Sequence, residues 1–415
     1  MTVWLHVIGI GEDGAAGLSA AARSLIRDAE TVFGGARHLE LLGETAVGQQ
    51  TRAWPSPFRA GLAELADHRG RPTVVLASGD PLWFGVGARL VKHFPAAEVA
   101  FLPVPSSYSL AAARMGWPLQ DTGCISLHGR PVAALALHLA PGARLLCLTS
   151  DAATVSAAAE VLRANGYGRS RITVLGHIGG PRESRHDATA ASLAGPDGLP
   201  DLPDLNVLAI ACELEPGRAA RARVAGLPDD AFEHDGKMTK REVRAITLAR
   251  LAPLPGQHLW DIGAGCGSVA IEWLRSGPRM QATGLEPHAE RRAMAARNAV
   301  VLGVPGLDLR PDLAPAGLAG LAPPDAVFVG GGVSDRAVLD AAWDALLPGG
   351  RLVANAVTVE GQAVLTALWR ERGGDLIRIM VERAGPVGEM NGWRPSMPVM
   401  QWAAVRADVQ TAARA

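Results

Sequence analysis

Cysteine is scarce in this sequence, and neither sign of charge is in excess. The four cysteines among 415 residues, Cys124, Cys147, Cys212 and Cys266, lie far apart without a C-x-x-C pair. Such spacing argues against a disulfide framework or a structural zinc site, predicts no bound metal, and suits a reducing cytoplasm. The 40 Lys and Arg are balanced by 41 Asp and Glu, for a net charge of −1. That balance offers no electrostatic case for nucleic acid or an anionic membrane surface as partner. No apolar run approaches the roughly 20 residues needed to span a bilayer. The start, Met1-Thr-Val-Trp-Leu-His6, runs straight into a strand pattern and lacks the basic region of a signal peptide. A cytoplasmic protein is therefore expected. Internal repeats are absent, as is any His-Asp-Ser or Cys-His arrangement of the kind that serves nucleophilic catalysis. What is present is 48% hydrophobic and 20% charged residues, a soluble globular composition, over a length that fits two or three domains.

The most informative stretch is Leu259-Trp-Asp-Ile-Gly-Ala-Gly-Cys-Gly-Ser268. An apolar β-like run, Gln257 to Ile262, leads into Gly263, Gly265 and Gly267 at alternate positions, and a helical run, Ser268 to Arg275, follows. A strand, a turn without side chains and a helix N-terminus make a concave surface of backbone N–H groups that suits a carboxylate or other anion. Glu286 lies 19 residues past Gly267 (286 − 267), at the end of a second short strand, Gln281 to Leu285. There a nucleotide-binding α/β unit places the acid that holds a ribose hydroxyl pair. The glycine spacing differs from the G-x-G-x-x-G of dinucleotide sites, and Asp261 beside the loop would repel a pyrophosphate. A cationic amino group is welcome there. Asp261-x-Gly263-Ala264-Gly265-Cys266-Gly267 resembles the first motif of Rossmann-like methyltransferases, whose cofactor is S-adenosylmethionine. Upstream, Thr239 with Glu242 reads as a helix capping box ahead of a helix Glu242 to Leu251, and Thr239 is also placed to reach the cofactor's carboxylate. Downstream the alternation continues: a helix Ala289 to Leu302, a turn at Pro311-Asp312, and a strand Asp325 to Val329 ending in Gly330-Gly-Gly332. A helix Asp335 to Leu346, a strand Arg351 to Val357, and extended runs Leu376 to Val381 and Val399 to Val405 close a doubly wound sheet.

Earlier in the chain, residues 3 to 11 read as a buried first strand ending in a glycine turn. A helix Leu18 to Ala29 follows, with Ser19 as its cap. A second apolar strand, Thr73 to Ala77, ends in Ser78-Gly-Asp-Pro-Leu-Trp-Phe-Gly85, and a third, Val99 to Val104, ends in Pro105-Ser-Ser-Tyr-Ser109 and an alanine-rich helix. Strand ends carrying small and turn residues place a binding crevice along one edge of a mostly parallel sheet. Strands Ile125 to His128, Leu145 to Thr149, Arg171 to Leu175 and Asn206 to Ala211, with helices Ala133 to Leu139 and Ala153 to Ala164, form a second half. His128 and Arg130 sit at a strand end that can face the crevice. Gly179 to Arg185 reads as a loop whose Arg182 and Arg185 are candidates for substrate carboxylates. Residues 214–236 break the pattern as a linker would. The expected organisation is an α/β domain 1–213 in two halves, about 1–115 and 116–213, then the linker, then a second domain 237–407.

Gly9-Ile-Gly11, Ser78-Gly-Asp-Pro81 with Gly85, and Pro105-Ser-Ser107 resemble the ordered motifs of the tetrapyrrole methylase family. That resemblance implies S-adenosylmethionine in a cleft between two α/β halves, with Gly79, Asp80, Pro81, Ser106 and Ser107 as cofactor-binding residues. One departure is the turn Gly11-Glu-Asp-Gly-Ala15, where the family usually shows Gly-Pro-Gly-Asp-Pro on the substrate side. The second domain, through Met238 to Arg244, the glycine motif, Ala314-Pro315, Val329 to Gly332 and Leu347-Pro-Gly-Gly350, resembles the decarboxylating methyltransferases of corrin synthesis. In these Gly-Asp usually precedes Ala-Pro. Here Asp312-Leu313 stands instead, with Asp312 as the candidate adenine-side acid and Ala314, Gly330 and Gly331 completing the cofactor site.

The fusion as a whole resembles the bifunctional methyltransferases of cobalamin biosynthesis. The likeness implies methylation of precorrin-6B at two bridging carbons, C5 and C15, with decarboxylation of the ring C acetate, giving precorrin-8. It further implies one S-adenosylmethionine site per domain, a tetrapyrrole as the small-molecule substrate, and self-association into a homo-oligomer. Methyl transfer from such a donor asks chiefly for alignment and exclusion of water, which fits the lack of an acid–base constellation. Other readings are a cobalt-containing substrate, tRNA methylation by the second domain, and a non-catalytic tetrapyrrole carrier. The lack of basic excess argues against tRNA, and two cofactor motifs argue against a carrier.

Overall fold

A computed structural model describes residues 3–194 and 201–407. Contacts divide the chain into two units, Met1–Val132 with His138–Ala220, and Ala133–Leu137 with Arg221–Ala415. The division after Ala220 falls inside the stretch expected to be a linker.

The first unit holds two five-stranded sheets. Strands β1 (Leu5–Ile10), β2 (Thr31–Gly34), β3 (Gln50–Ala53), β4 (Thr73–Ser78) and β5 (Val99–Leu102) form the first, in the order β3-β2-β4-β1-β5 and parallel throughout. Its central strands are apolar without interruption because both faces are covered. Leu5 and Val7 join Phe33 and Val75 in one core, whereas Ile8 and Ile10 join Val32 and Leu76 in the other. Helices α1 (Ala20–Asp28), α2 (Ala36–Leu42), α3 (Phe58–Ala66) and α4 (Gly87–Leu90) connect the strands. Ser19 caps α1 as expected, its hydroxyl accepting from the Ala22 N–H at 3.1 Å. Two strands and two helices between residues 31 and 66 were not legible. β2 has only four residues and β3 is an exposed edge, too short and too polar for a periodic pattern. Thr73–Ser78 is consequently the fourth strand, not the second, and pairs directly with β1.

Helix α5 (Ser107–Met115) leads to the second sheet, built from β6 (Gly123–Ser126), β7 (Arg144–Leu148), β8 (Arg171–Gly176), β9 (Ser184–Thr189) and β10 (Asn206–Ala211). Its order is β6-β7-β10-β8-β9, with β6 and β7 parallel and the other pairs antiparallel. Helices α6 (Ala153–Ala164) and α7 (Ala190–Leu193) accompany it. The expected helix Ala133 to Leu139 is a 3-10 helix, Val132–His138. The end of the expected loop Gly179 to Arg185 is the start of β9, a polar edge strand that alternates half-buried with exposed positions.

The second unit is one doubly wound sheet. Its elements are α8 (Arg241–Leu251), β11 (His258–Ile262), α9 (Ser268–Arg275), β12 (Gln281–Leu285), α10 (Ala289–Val301), β13 (Asp308–Arg310), β14 (Ala326–Val329), α11 (Arg336–Ala345), β15 (Arg351–Ala356), α12 (Val359–Arg372), β16 (Asp375–Ile379), the hairpin β17 (Glu382–Val387) and β18 (Met390–Pro395), and β19 (Val399–Val405). The order is β13-β12-β11-β14-β15-β19-β16, parallel except for β19, which opposes both neighbours. The order reverses between β11 and β14, the switch point at which open α/β sheets bind ligands. Leu259 and Val353 pack on one face, Trp260 and Leu352 on the other.

Two expectations near this unit's start are corrected. The capping box does not form: Lys240 is the N-cap without a side-chain bond, and Glu242 pairs with Arg383 at 2.6 Å. The Thr239 carbonyl instead accepts from Arg244 Nη1 at 2.6 Å. Nor is all of 214–236 a free tether, since Leu227 and Phe232 are buried. The carboxylate of Glu272, on α9, accepts from the N–H groups of Gly226 at 2.7 Å and Leu227 at 2.9 Å, and from Arg244 Nε at 2.8 Å. Arg244 also reaches Asp229 and lies 4.8 Å from the Phe232 ring centre. Replacing one partner of such a pair strands the other as a buried charge. Arg244→Met should therefore lower the stability of this unit by about 3–5 kcal/mol, read as an earlier urea midpoint in Trp fluorescence, with no change expected for a surface control such as Arg310→Met.

Candidate active sites

In the second unit the loops after β11 and β14 touch backbone to backbone. Gly263 has φ +74°, and a Cβ on it would lie 2.7 Å from Gly331 Cα. A cavity of about 230 Å³ opens beside this contact, lined by Gly263, Glu286, Asp312, Ala314 and Gly331 among others. Five residues expected from sequence thus meet in one place. Gly330 sits beside them, its N–H donating to the Ile262 carbonyl at 3.0 Å. Ala264 and Cys266 are buried under the loop, and Gly267 heads α9. Burial pushes the Cys266 thiol up, so it is not a thiolate nucleophile. Thr239 is half-buried and does not line the cavity, although its segment passes close by: the Lys237 carbonyl is the nearest atom to a Cβ placed on Gly265, at 3.8 Å. His288 and Arg291 line the cavity without having been anticipated. They belong to the start of α10, where nothing but helical spacing is visible in the sequence.

The two acids differ in how they are satisfied. Glu286 is pinned by backbone, accepting from Gly265 N–H at 2.9 Å and His288 N–H at 3.0 Å. Asp261 is 1% exposed; one oxygen accepts from Ala270 N–H at 3.0 Å, while Oδ1 has no partner. Burial, opposed by the Ala270 bond and reinforced by the charge of Glu286, pushes its carboxyl up to about 7. A buried carboxylate with a vacant lone-pair face is complementary to a cation, and an anion-accepting glycine loop lies beside it.

In the first unit a larger cavity, about 560 Å³, lies between the two sheets at the carboxyl ends of β1 and β4 and the loop after β5. Gly79 has φ +55°, and a Cβ there would lie 2.8 Å from Ser106 Cα, so here too the floor is a contact between strand-end loops. Gly79, Asp80, Ser106 and Ser107 line the cavity, whereas Pro81 is buried and does not. Asp80 holds its turn by accepting from Leu82 N–H at 2.9 Å, and Ser106 caps α5 through Ser109 N–H at 3.2 Å. Of the four substrate candidates, His128 lines the cavity, its Nδ1 3.3 Å from the Thr149 carbonyl. Arg130 stacks 5.0 Å from the ring centre of the cavity residue Phe84. Arg182 is close enough to His177 for its charge to contribute to holding that imidazole below its usual range, after burial. Arg185 is tied to Asp187 at 2.8 Å along β9. Glu12, Arg37 and His38 also line the cavity. Sequence reasoning missed them because they flank the four-residue strand β2 and the turn noted only as a departure. Among the described residues no group of three or more His, Cys, Asp or Glu could hold a metal ion, and no helix is long and apolar enough to cross a membrane.

Comparison with known proteins adds names to this geometry. The family profile described as Tetrapyrrole (Corrin/Porphyrin) Methylases matches residues 4–194, and that described as Precorrin methyltransferase domain matches residues 230–406. A precorrin-6Y C(5,15)-methyltransferase [decarboxylating] of Sinorhizobium sp is 51% identical over 399 residues, covering 96% of this chain and 95% of its own. One so named from Mycobacterium tuberculosis is 41% identical over 401 residues, 96% of this chain and 99% of its own. A cobalt-precorrin-6B C(15)-methyltransferase (decarboxylating) of Salmonella typhimurium is 34% identical over 166 residues, 39% of this chain and 85% of its own.

The raised carboxyl of Asp261 has a signed consequence. Unfolded, the group ionises near the ordinary aspartate value of 3.8; folded, at about 7. Between those values the native state binds the extra proton, so stability falls as pH rises through the window. From pH 5 to 8 this group alone should cost the ligand-free protein about 2–3 kcal/mol. Asp261→Asn should flatten that slope in thermal melts taken across the range; an unchanged slope would count against the assignment.

Proposed function

The chain belongs to the family of precorrin-6Y C(5,15)-methyltransferases (decarboxylating), and on that footing we propose that each unit holds one S-adenosylmethionine and performs one of the two methyl transfers. The protein is an S-adenosylmethionine-dependent precorrin C-methyltransferase of cobalamin biosynthesis. The first unit methylates one bridging carbon; the second methylates the other and removes the acetate carboxyl as carbon dioxide. The observation that carries the division of labour is the pair of unlike cavities, one per unit, each floored by a contact between strand-end loops. Both family profiles fall on the unit that contains the corresponding cavity.

The residues of the second cavity fit the cofactor. The carboxylate of Glu286 suits a ribose hydroxyl pair and the exposed side of Asp312 the adenine end, while Asp261, buried behind the glycine loop and outside the cavity lining, has a vacant oxygen complementary to an ammonium group. In the first unit Gly79, Asp80, Ser106 and Ser107 supply backbone and hydroxyl groups for the same cofactor. S-adenosylmethionine supplies a methyl group on a sulfonium leaving group, so no side chain need act as nucleophile. What the chain contributes is alignment and exclusion of water by the closed cavity floors. The decarboxylation draws its electron sink from the conjugated macrocycle, and a carboxylate removed from water and from cations loses carbon dioxide most readily. The full-length relatives carry precorrin names, and the cobalt-precorrin relative spans 39% of this chain. That pattern favours a metal-free macrocycle as substrate. Four free cysteines support a reducing cytoplasm as the setting.

Two tests follow from the geometry. A Cβ on Gly265 would meet no atom nearer than 3.8 Å, but its φ of +57° disfavours any side chain, so Gly265→Phe distorts the glycine loop and the Gly265 N–H contact to Glu286 at the second cavity. Mass spectrometry of the product should show one methyl group fewer and the carboxyl retained, whereas Gly79→Val should remove only the other methyl group. Loss of both methylations in either variant would refute separate sites. Binding of S-adenosylhomocysteine near pH 7 should also release about half a proton at Asp261, measured by calorimetry in buffers of different ionisation enthalpy and absent in Asp261→Asn.

A further inference from the structure

A hydroxyl in the first cavity has more donors than it can use. Ser78, the last residue of β4, accepts from His38 Nε2 at 2.8 Å and from Arg37 Nη2 at 3.3 Å. The tautomer of His38 follows from its other nitrogen: Nδ1 accepts from Gly35 N–H at 3.4 Å, so the ring proton is on Nε2. Burial, aided by the Arg37 charge, holds this imidazole down to about 4, which keeps it neutral with that proton arrangement across the physiological range. A serine oxygen has two lone pairs and one hydrogen. Both lone pairs are taken, so the hydrogen must be donated onward, and no acceptor for it exists among the described residues. Ser78 is exposed and lines the cavity with Arg37 and His38.

Charged groups of both signs surround this corner. Glu12, from the turn after β1, pairs with Arg37 Nη1 and lies 3.3 Å from His177 Nδ1. It fixes the guanidinium and cancels one charge. Arg37 still leaves 40% of its side chain exposed, and Arg182 adds a second cation near His177. Asp80, two residues past Ser78, also lines the cavity, so the cations do not outnumber the anions; what the corner presents is a hydroxyl hydrogen and the spare guanidinium hydrogens of Arg37.

We propose that Ser78, oriented by His38 and Arg37, is a carboxylate-anchoring residue of the first cavity. The ligand class is an alkyl carboxylate, and two sources bring one: an acetate or propionate arm of the tetrapyrrole, and the amino-acid end of the cofactor. The inference rests on the first unit being one of the two methylation sites. It also accounts for the departure at residues 11–15, because Glu12 takes part in the corner in place of the family's usual turn.

Ser78→Ala and Ser78→Thr in the full-length protein test it, with both methyl transfers followed by mass spectrometry and KM measured separately for the precorrin and for S-adenosylmethionine. Loss of a hydrogen bond to a charged group weakens binding on the order of tenfold or more. Ser78→Ala should raise one KM of the first-unit methylation by that factor with kcat little changed, and Ser78→Thr should restore it. A rise in the precorrin KM assigns the carboxylate to the macrocycle, and a rise in the S-adenosylmethionine KM assigns it to the cofactor. The methylation with decarboxylation in the second unit serves as the folding control and should not move. Wild-type kinetics in Ser78→Ala would overturn the anchoring role, while a Gly79→Val protein that still adds both methyl groups would overturn the reading on which it rests.

Discussion

In each unit the surface offered to a ligand begins where two loops meet with no side chain between them. Gly79 against Ser106, and Gly263 against Gly331, are approaches that a single Cβ would forbid. Because the parallel strands end side by side, their loops can close on one another there, and the main-chain groups become the floor of the cavity. Side chains then matter by their position relative to that floor. Asp261 lies beneath one and Ser78 beside the other, and neither could be placed so if the loops were a side chain's width further apart.

Three buried acids in the second unit show that burial alone does not decide a carboxylate's role. Glu272, 2% exposed, has two backbone N–H groups and a guanidinium. Its charge is fully met, and it holds structure. Glu286 is met by backbone on both oxygens but stands at the cavity wall. Asp261, the most enclosed of the three, has one N–H and one vacant oxygen. An unsatisfied buried carboxylate costs stability, and its place beside the glycine loop makes a cationic group the natural compensation.

Much of this was readable beforehand, for a physical reason. Strands β11 and β14 are mostly apolar runs of five and four residues with a glycine directly after them, and such runs announce themselves. The glycine loop and Glu286 were found by spacing, since a cofactor of fixed size imposes a fixed separation. The segment Thr31 to Ala66 hid two strands because β2 is four residues long and β3 is wholly exposed. Arg37 and His38 were lost with it. Arg185 was misjudged because a polar edge strand and a loop look alike in sequence, and only pairing with β8 distinguishes them. Thr239 failed as a cap because the helix starts one residue later, with Lys240 at the N-cap, and Glu242 is drawn to Arg383, a tertiary preference that no local pattern carries.

The knot at Glu272 also says where a scalpel may fall. A fragment begun at Lys237, the edge suggested by motif and composition, would discard Gly226, Leu227, Asp229 and Phe232, and with them two of the donors on Glu272 and the ring under Arg244. An excised second unit that keeps its own interior must instead start upstream of Gly226. The seam along which this polypeptide can be parted is thus earlier than the seam at which its motifs change.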